Sequence, residues 1–337
     1  MLKKLEHYGF RGNALKLISS YLQGRKQFIK CVLIKSSVLD VVCGVPQCSV
    51  LGPLLFTLYI NDFVSCSKFE SILFADDAAL LLADTNLKKL KRVVSTEVKQ
   101  MHNWLITSKL TLNLKKSKYM IFTNKNVVTA KERKKFQITI GKYTIHEIDQ
   151  IKYLGTIFDN KLNWNYHIDY LKTKLSQAAG AMYKIRKYIS LDTRLVLYNS
   201  LFASYLQYGI LAWGSASPTS INSIQSLQNR IVRYMTFSPL LSNVDSKYKT
   251  LKILQVHDLY LYESAKFMHS VCLEYSPMNF QTYFQAIDHN HDTRTRRNVG
   301  YTIHQPRART ERGMKSLRYT CVKAWASIPE LLEIHSC

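Results

Sequence analysis

The chain has 337 residues, 47% of them hydrophobic, with 14 Phe, 21 Tyr and 4 Trp, enough for a sizeable core in two domains or in one large domain with an appendage. That composition excludes disorder throughout. The lack of any run of about 18 apolar residues excludes a membrane-spanning helix, and seven cysteines without a Cys-x-x-Cys pair argue against a disulfide framework or a structural zinc site. The net charge of +24 is unevenly spread: 8 basic and 2 acidic residues over 1–50, 6 and 6 over 51–100, and 10 and 3 over 101–150. A neutral segment between two strongly positive ones suits a polyanion laid across it.

In chain order, Met1–His7 is amphipathic rather than signal-like, so an intracellular protein, nuclear or cytoplasmic, is expected. A helix is predicted through Leu15, Leu17, Ile18, Tyr21 and Leu22, followed by the basic run Arg25-Lys26-Gln27. Residues 28–43 predict two short strands around Lys35-Ser36-Ser37. After the loop 44–49 comes an apolar helix from Leu51 to Phe63, with Pro53 suited to its first turn. Leu87, Leu90, Val94, Val98, Met101 and Leu105 recur at three- and four-residue steps, predicting a helix over 86–108. Strands are expected at 110–114 and 119–122 around a lysine-rich turn, then a basic loop at 131–135 and strand pairs over 136–158. From about residue 164 the pattern turns helical, with Ile168, Leu171, Leu175, Ala178, Met182, Ile185 and Ile189 on one face. Helices at 192–208, 219–235 and 245–275 follow. Residues 294–323 hold nine basic residues and one acid and read as a flexible basic tail or a polyanion-docking surface.

The chemistry concentrates at Ser71-Ile72-Leu73-Phe74-Ala75-Asp76-Asp77-Ala78-Ala79-Leu80-Leu81-Leu82. Two apolar runs suit paired strands, and the acidic doublet falls where a tight hairpin would turn. Two desolvated like charges repel unless one takes a proton or a cation lies beside them. Carboxylate oxygens suit a hard divalent ion such as magnesium. A solvent-exposed Asp-Asp turn is the bland alternative, since turns favour Asp.

Taken in order, the motifs resemble the reverse transcriptase of a non-LTR (LINE-type) retrotransposon, nearest the jockey and chicken-repeat-like groups. Gly44-Val45-Pro46-Gln47-Cys48-Ser49 through Tyr59-Ile60-Asn61-Asp62 resembles the loop and helix that contact template and incoming nucleotide, which implies such roles for Gly44, Pro46, Gln47 and Ser49. Phe74-Ala75-Asp76-Asp77 resembles the catalytic box, with Asp76 the implied metal ligand and Asp77 its support. Leu110 to Lys118 resembles the next motif, where Lys116 would help protonate pyrophosphate. Lys152-Tyr153-Leu154-Gly155 resembles the primer-grip hairpin. Tyr208-Gly209, Trp213-Gly214 and Gln228-Asn229-Arg230 resemble thumb helices, with Arg230 and Arg233 placed to meet phosphate. His291 to Arg294 and Ala324-Trp325 are similar to the C-terminal region.

The resemblance implies an α+β fold. A remnant of fingers and palm over 1–27 leads into a palm of antiparallel sheet backed by helices over 28–158. An all-helical thumb over 159–240 follows, then an extension over 241–337 carrying the basic segment 294–323. It implies RNA-directed DNA synthesis with Mg2+ (or Mn2+), an RNA template, a DNA primer and deoxynucleoside triphosphates. Two departures stand out. The family has a further catalytic aspartate in a strand just before the segment that begins here, and no aspartate precedes Asp40; Cys48 stands where the family has glycine. The chain by itself is therefore expected to be catalytically inactive, with a non-catalytic nucleic-acid-binding remnant as the alternative.

Overall fold

The computed structural model describes residues 1–46, 48–123, 136–284 and 306–327. The fold is α+β, in two compact units, Met1–Ile148 and Asp149–Cys337. The division falls ahead of the hairpin at 150–159, because that hairpin packs on the first long helix of the second unit.

In the first unit, α1 (Leu2–His7) buries Leu5 completely, and Lys4 fixes it to the helix α3 (Leu51–Ile60). The Lys4 ammonium donates to the Tyr59 carbonyl at 2.8 Å and to the Asp62 carboxylate at 2.6 Å, and lies over the rings of Tyr59 and Trp104. The helix α2 (Gly12–Leu22) forms as the periodicity predicts but buries no residue. α3 runs on as a 3-10 helix over Asn61–Cys66, which extends the predicted helix by three residues. α4 (Leu87–Thr107) begins where Asn86 accepts the backbone N–H groups of Lys88 and Lys89, satisfying two of the orphan donors of the first turn. Its apolar face, Val94, Val98, Met101 and Leu105, packs with Phe63, Phe69, Ile121 and Ile138 into one core.

The sheets are small. β1 (Lys26–Gln27) pairs with β4 (Leu39–Asp40), and β2 (Lys30–Cys31) with β3 (Ile34–Lys35), forming a ribbon exposed along its length. The ribbon turns at Val32-Leu33, with Val32 at φ +53, and not at Lys35-Ser36-Ser37; Ser36 instead zips the arms together by accepting the Ile29 N–H on its hydroxyl. Residues 110–114 are not a strand. Leu110, Leu112 and Leu114 turn toward the core like alternating strand residues, but their backbone bonds are local, Leu110 N–H to the Leu105 carbonyl and Leu114 N–H to the Leu112 carbonyl, and no strand pairs with them. β7 (Lys118–Tyr119) pairs in parallel with β9 (Tyr143–Glu147), which pairs antiparallel with β8 (Ile138–Ile140), so the largest sheet is mixed rather than purely antiparallel. The basic loop 131–135 lies outside the described residues.

The second unit opens with the hairpin β10 (Gln150–Tyr153) and β11 (Thr156–Asp159), then α5 (Asn165–Ile185). α6 (Leu191–Tyr198) continues through a π-helical turn and two short helical turns to Trp213. α7 (Pro218–Thr236) packs along α5, starting with Pro at its first position and the Ser217 hydroxyl accepting the Ser220 N–H. Ile168, Leu171, Leu175, Met182, Phe202, Trp213, Ile224 and Ile231 fill the seam. α8 (Asp245–Leu251) and α9 (Val256–Cys272) divide the stretch expected as one helix over 245–275. The basic segment 294–323 departs from its expectation in its described part. Residues 317–326 form α10 (Leu317–Ala326), whose Cys321, Val322 and Trp325 are buried against α9, while Lys323 is exposed and the half-buried Arg318 lies over the Tyr283 ring. The remainder, to residue 305, lies outside the described residues, as does His291–Arg294. No helix among the described residues is long and apolar enough to cross a membrane.

Candidate active site

β5 (Glu70–Phe74) and β6 (Asp77–Leu81) run antiparallel in register from Glu70↔Leu81 to Phe74↔Asp77. The connection is therefore two residues, Ala75 and Asp76. Ala75 has φ +50 and Asp76 does not share the positive sign, the pattern of a II′ turn, whose first central position normally holds glycine. A Cβ there strains the backbone by about 1 kcal/mol. Residues opposite one another in the register share a face. Leu73 and Leu80 turn toward the core, whereas Asp77 shares the outer face with Phe74, Ile72 and Leu81, all substantially exposed.

Asp76 and Asp77 thus stand together at the hairpin tip, both exposed and without hydrogen-bond or ion-pair partners among the described residues. The expected desolvation is absent. With both side chains exposed, water screens the two charges from each other. Among the described residues no group of three His, Cys, Asp or Glu side chains converges to hold a metal. Two adjacent carboxylates still suit magnesium, which is often held by one or two protein carboxylates together with substrate phosphates.

The hairpin is tied down at its start. Glu97 on α4 is buried and accepts the Lys68 backbone N–H at 2.8 Å, with Phe69 next in the core. Nothing in the local sequence marks Glu97, since a lone acid on a helix reads as surface. Glu97→Ala should cost about 2 kcal/mol by orphaning that N–H. Faster amide hydrogen exchange through Lys68–Phe74 than through α4 is the expected readout.

The loop before α3 is held by its own side chains. Ser49 Oγ donates to the Pro46 carbonyl at 2.7 Å and accepts the Gly52 N–H at 3.0 Å. The hydroxyl expected to meet template or nucleotide is thereby engaged in shaping the loop. Gly52 is the position where a Cβ is excluded, since it would lie 2.7 Å from Ser49 Oγ and 2.8 Å from the Pro46 oxygen. Gly44 has φ +84 and open space around its Cα, which suits close approach of another chain. Gln47 lies outside the described residues. Cys48 has φ +55. Its disadvantage relative to glycine is therefore in its own backbone as well as in what it would crowd. Cys48→Gly should stabilise the first unit by about 0.5 kcal/mol, the relief of left-handed strain less the entropy that glycine brings to the unfolded chain. A higher urea midpoint at unchanged slope would report it.

Lys116 sits exposed in the turn 114–116, its backbone N–H donated to Asn113. No hydrogen bond or ion pair among the described residues joins it to the acidic pair.

In the second unit, Tyr153, Leu154 and Gly155 form the tip of β10–β11, with φ +45 at Leu154 and +84 at Gly155, the double-positive pattern of a I′ turn. The Tyr208 hydroxyl donates to the Leu154 carbonyl. A Cβ on Gly155 would lie 2.8 Å from the Tyr208 ring, so glycine is required by its neighbour as well as its φ. Below the tip a cavity of about 240 Å³ is lined by Tyr170, Tyr205, Tyr208 and buried His167. His167 accepts the Ile157 N–H on Nδ1 at 3.3 Å, and burial, aided by Lys152, pulls its pKa down to about 4. The buried Asp159 accepts the N–H groups of Lys161, Asn163 and Trp164 at 3.0, 3.3 and 2.9 Å, closing the turn that launches α5. Arg230 is exposed on α7, whereas Arg233 donates Nε to the Ser242 carbonyl at 2.9 Å and braces the following loop.

The profile of the family described as reverse transcriptase (RNA-dependent DNA polymerase) matches residues 1–158. The Drosophila melanogaster protein named "Probable RNA-directed DNA polymerase from transposon X-element" is 28% identical over 250 residues, covering 72% of this chain and 27% of its own length. The RNA-directed DNA polymerase from mobile element jockey of Drosophila funebris is 28% identical over 239 residues (66% and 25%). The retrovirus-related Pol polyprotein from type-1 retrotransposable element R1 of Bradysia coprophila is 25% identical over 248 residues (71% and 24%). The chain thus spans about a quarter of the length of these relatives. No solved structure matches it. Residues 1–158 are reverse transcriptase sequence of the kind carried by non-LTR retrotransposons.

Proposed function

We propose that this chain supplies part of an RNA-directed DNA polymerase, with the acidic hairpin as its metal-holding element and the helical unit as a nucleic-acid-binding thumb. The observation that carries this reading is the exposed Asp76-Asp77 tip on a two-residue turn, in its place within the matched residues 1–158. Nucleotide addition is phosphoryl transfer, in which the protein chiefly positions reactants and neutralises charge. Magnesium or manganese held by Asp76 and Asp77 would supply charge neutralisation at the attacking primer hydroxyl and the leaving pyrophosphate. The remaining tasks fall to the chain's own side chains. Gly44 and Pro46 would let template or nucleotide approach the backbone, Lys116 would offer a proton to pyrophosphate, Tyr153-Leu154-Gly155 would position the primer end, and Arg230 would meet phosphate.

Among the described residues no third His, Cys, Asp or Glu side chain joins Asp76 and Asp77, which favours a more limited activity for this chain by itself, namely binding template–primer without extending it. Primer extension on an RNA template by the purified chain, with Mg2+ or Mn2+, tests this. No extension, together with binding that weakens steeply with salt and ignores Asp76→Ala, is the expected result. Robust metal-dependent product abolished by Asp76→Ala would overturn the inactivity. Salt-independent binding, or none, would overturn the nucleic-acid reading itself.

A further inference from the structure

At one end of the second unit the last turn of α5, the first turn of α6 and the last turn of α7 come together around two arginines. The Arg186 guanidinium lies over the rings of Tyr183, Tyr234 and Phe237, at 4.2, 5.2 and 5.3 Å from their centroids, and Arg194 lies over Phe237 at 4.8 Å. The Tyr183 and Tyr234 rings meet at 4.9 Å. We propose that this cluster is a stacking platform for single-stranded nucleic acid, an inference that rests on the nucleic-acid-binding reading above.

Helix geometry explains part of the cluster but not the whole. Cations near helix C-termini are favourable, and Arg194 donates to the Met235 carbonyl at the end of α7. That contact leaves the rings unexplained. Tyr183 and Phe237 are each about half exposed, at 52% and 51%, and the nearby Tyr188 is 85% exposed. Phe237 holds its place at φ +54, in the left-handed conformation where a helix end normally puts glycine. An aromatic ring kept at the expense of backbone strain and exposure serves something outside the fold.

The charge points to what that is. Residues 183–194 carry four cations against one acid, and among the described residues neither arginine is paired with a carboxylate. The Arg186 Nε is buried without a hydrogen-bond acceptor. Guanidinium groups interleaved with flat rings match the alternating phosphates and bases of a single strand, whose unstacked bases are free to lie on them. A duplex offers phosphates but keeps its bases stacked. An acidic polypeptide would satisfy the cations and leave the rings idle.

The test is fluorescence anisotropy of the full chain with a labelled 12-nucleotide oligouridine, a duplex of the same length and a polyglutamate probe. The double variant Tyr183→Leu/Phe237→Leu, checked for an unchanged circular dichroism melt, should bind the single strand roughly tenfold or more weakly, since base–aromatic stacking is worth that much per base. Duplex affinity and the salt slope should stay within twofold of the wild type. Photocrosslinking of the wild-type chain to 5-bromouridine-substituted oligouridine should place adducts at Tyr183, Tyr188 or Phe237, whatever the variant's folding. Unchanged single-strand affinity in the folded variant, adducts mapping only elsewhere, or an equal loss for polyglutamate would overturn the platform while leaving duplex binding intact. A wild type that binds neither nucleic acid would remove both this inference and the reading beneath it.

Discussion

Replacing Asp159 with alanine lowers the stability of the second unit by about 3 kcal/mol. The carboxylate is 2% exposed and accepts three backbone N–H groups in the turn between β11 and α5. Hydrogen bonds to a charged acceptor are worth about 1.5–3 kcal/mol, and alanine would strand donors that water reaches poorly. The same turn holds Trp164 at φ +68, with its N–H anchored on the Asp159 carboxylate. Asp159→Asn retains one acceptor oxygen and should recover about half of the loss. Urea unfolding followed by the helical signal of the second unit would check both variants. A loss below about 1 kcal/mol for alanine would mean that water already satisfies the turn.

The second large effect is one of pH. His167 is buried as a neutral imidazole with Nδ1 accepting from Ile157, and its pKa in the folded chain is about 4. In the unfolded chain it returns to about 6.5. Between those values the unfolded state binds more protons than the folded one, so stability rises with pH through this window and is lost as pH falls. The stabilisation is whole above about pH 6.5; about 2 kcal/mol of it is gone at pH 5, and about 3 kcal/mol near pH 4. His167→Asn, whose Oδ1 reaches the position of Nδ1, should flatten that slope even if its stability at pH 7 is lower. Parallel wild-type and variant slopes from pH 7 to 4.5 would assign the acid sensitivity to other groups.

What was legible in the sequence is what repeats or pairs locally. The helix over 86–108 announces itself by apolar steps of three and four, and the acidic hairpin by two apolar runs with only a turn between them. The long helix from 165 is equally plain; of its apolar stripe, Ile168, Leu171, Leu175 and Met182 are buried. Illegible were the features decided by distant neighbours. The ribbon turns at Val32-Leu33, where no turn-forming residue signals it and a β-branched side chain argues against it. Residues 110–114 alternate like a strand, yet a strand needs a partner and none is there. In 317–325 Arg318 and Lys323 break up the apolar residues, and only the fold shows that Cys321, Val322 and Trp325 fall on the face that α9 covers. Within the site, the tip carboxylates were readable, whereas their support was not. Glu97 and Gly52 act through partners that are out of sequence sight or that only the folded loop reveals, and the same holds in the second unit for Tyr208 and His167 beneath the β10–β11 tip.

The contacts beneath the β10–β11 tip also give the molecule a built-in optical gauge. The wholly buried Trp213 donates its indole N–H to the Tyr208 carbonyl at 3.0 Å, Tyr208 in turn bonds the Leu154 carbonyl, and the His167 ring lies 6.1 Å from the indole. A strand end drawn against the tip would tug on that relay, and its arrival would be visible as a change in tryptophan emission without any attached dye.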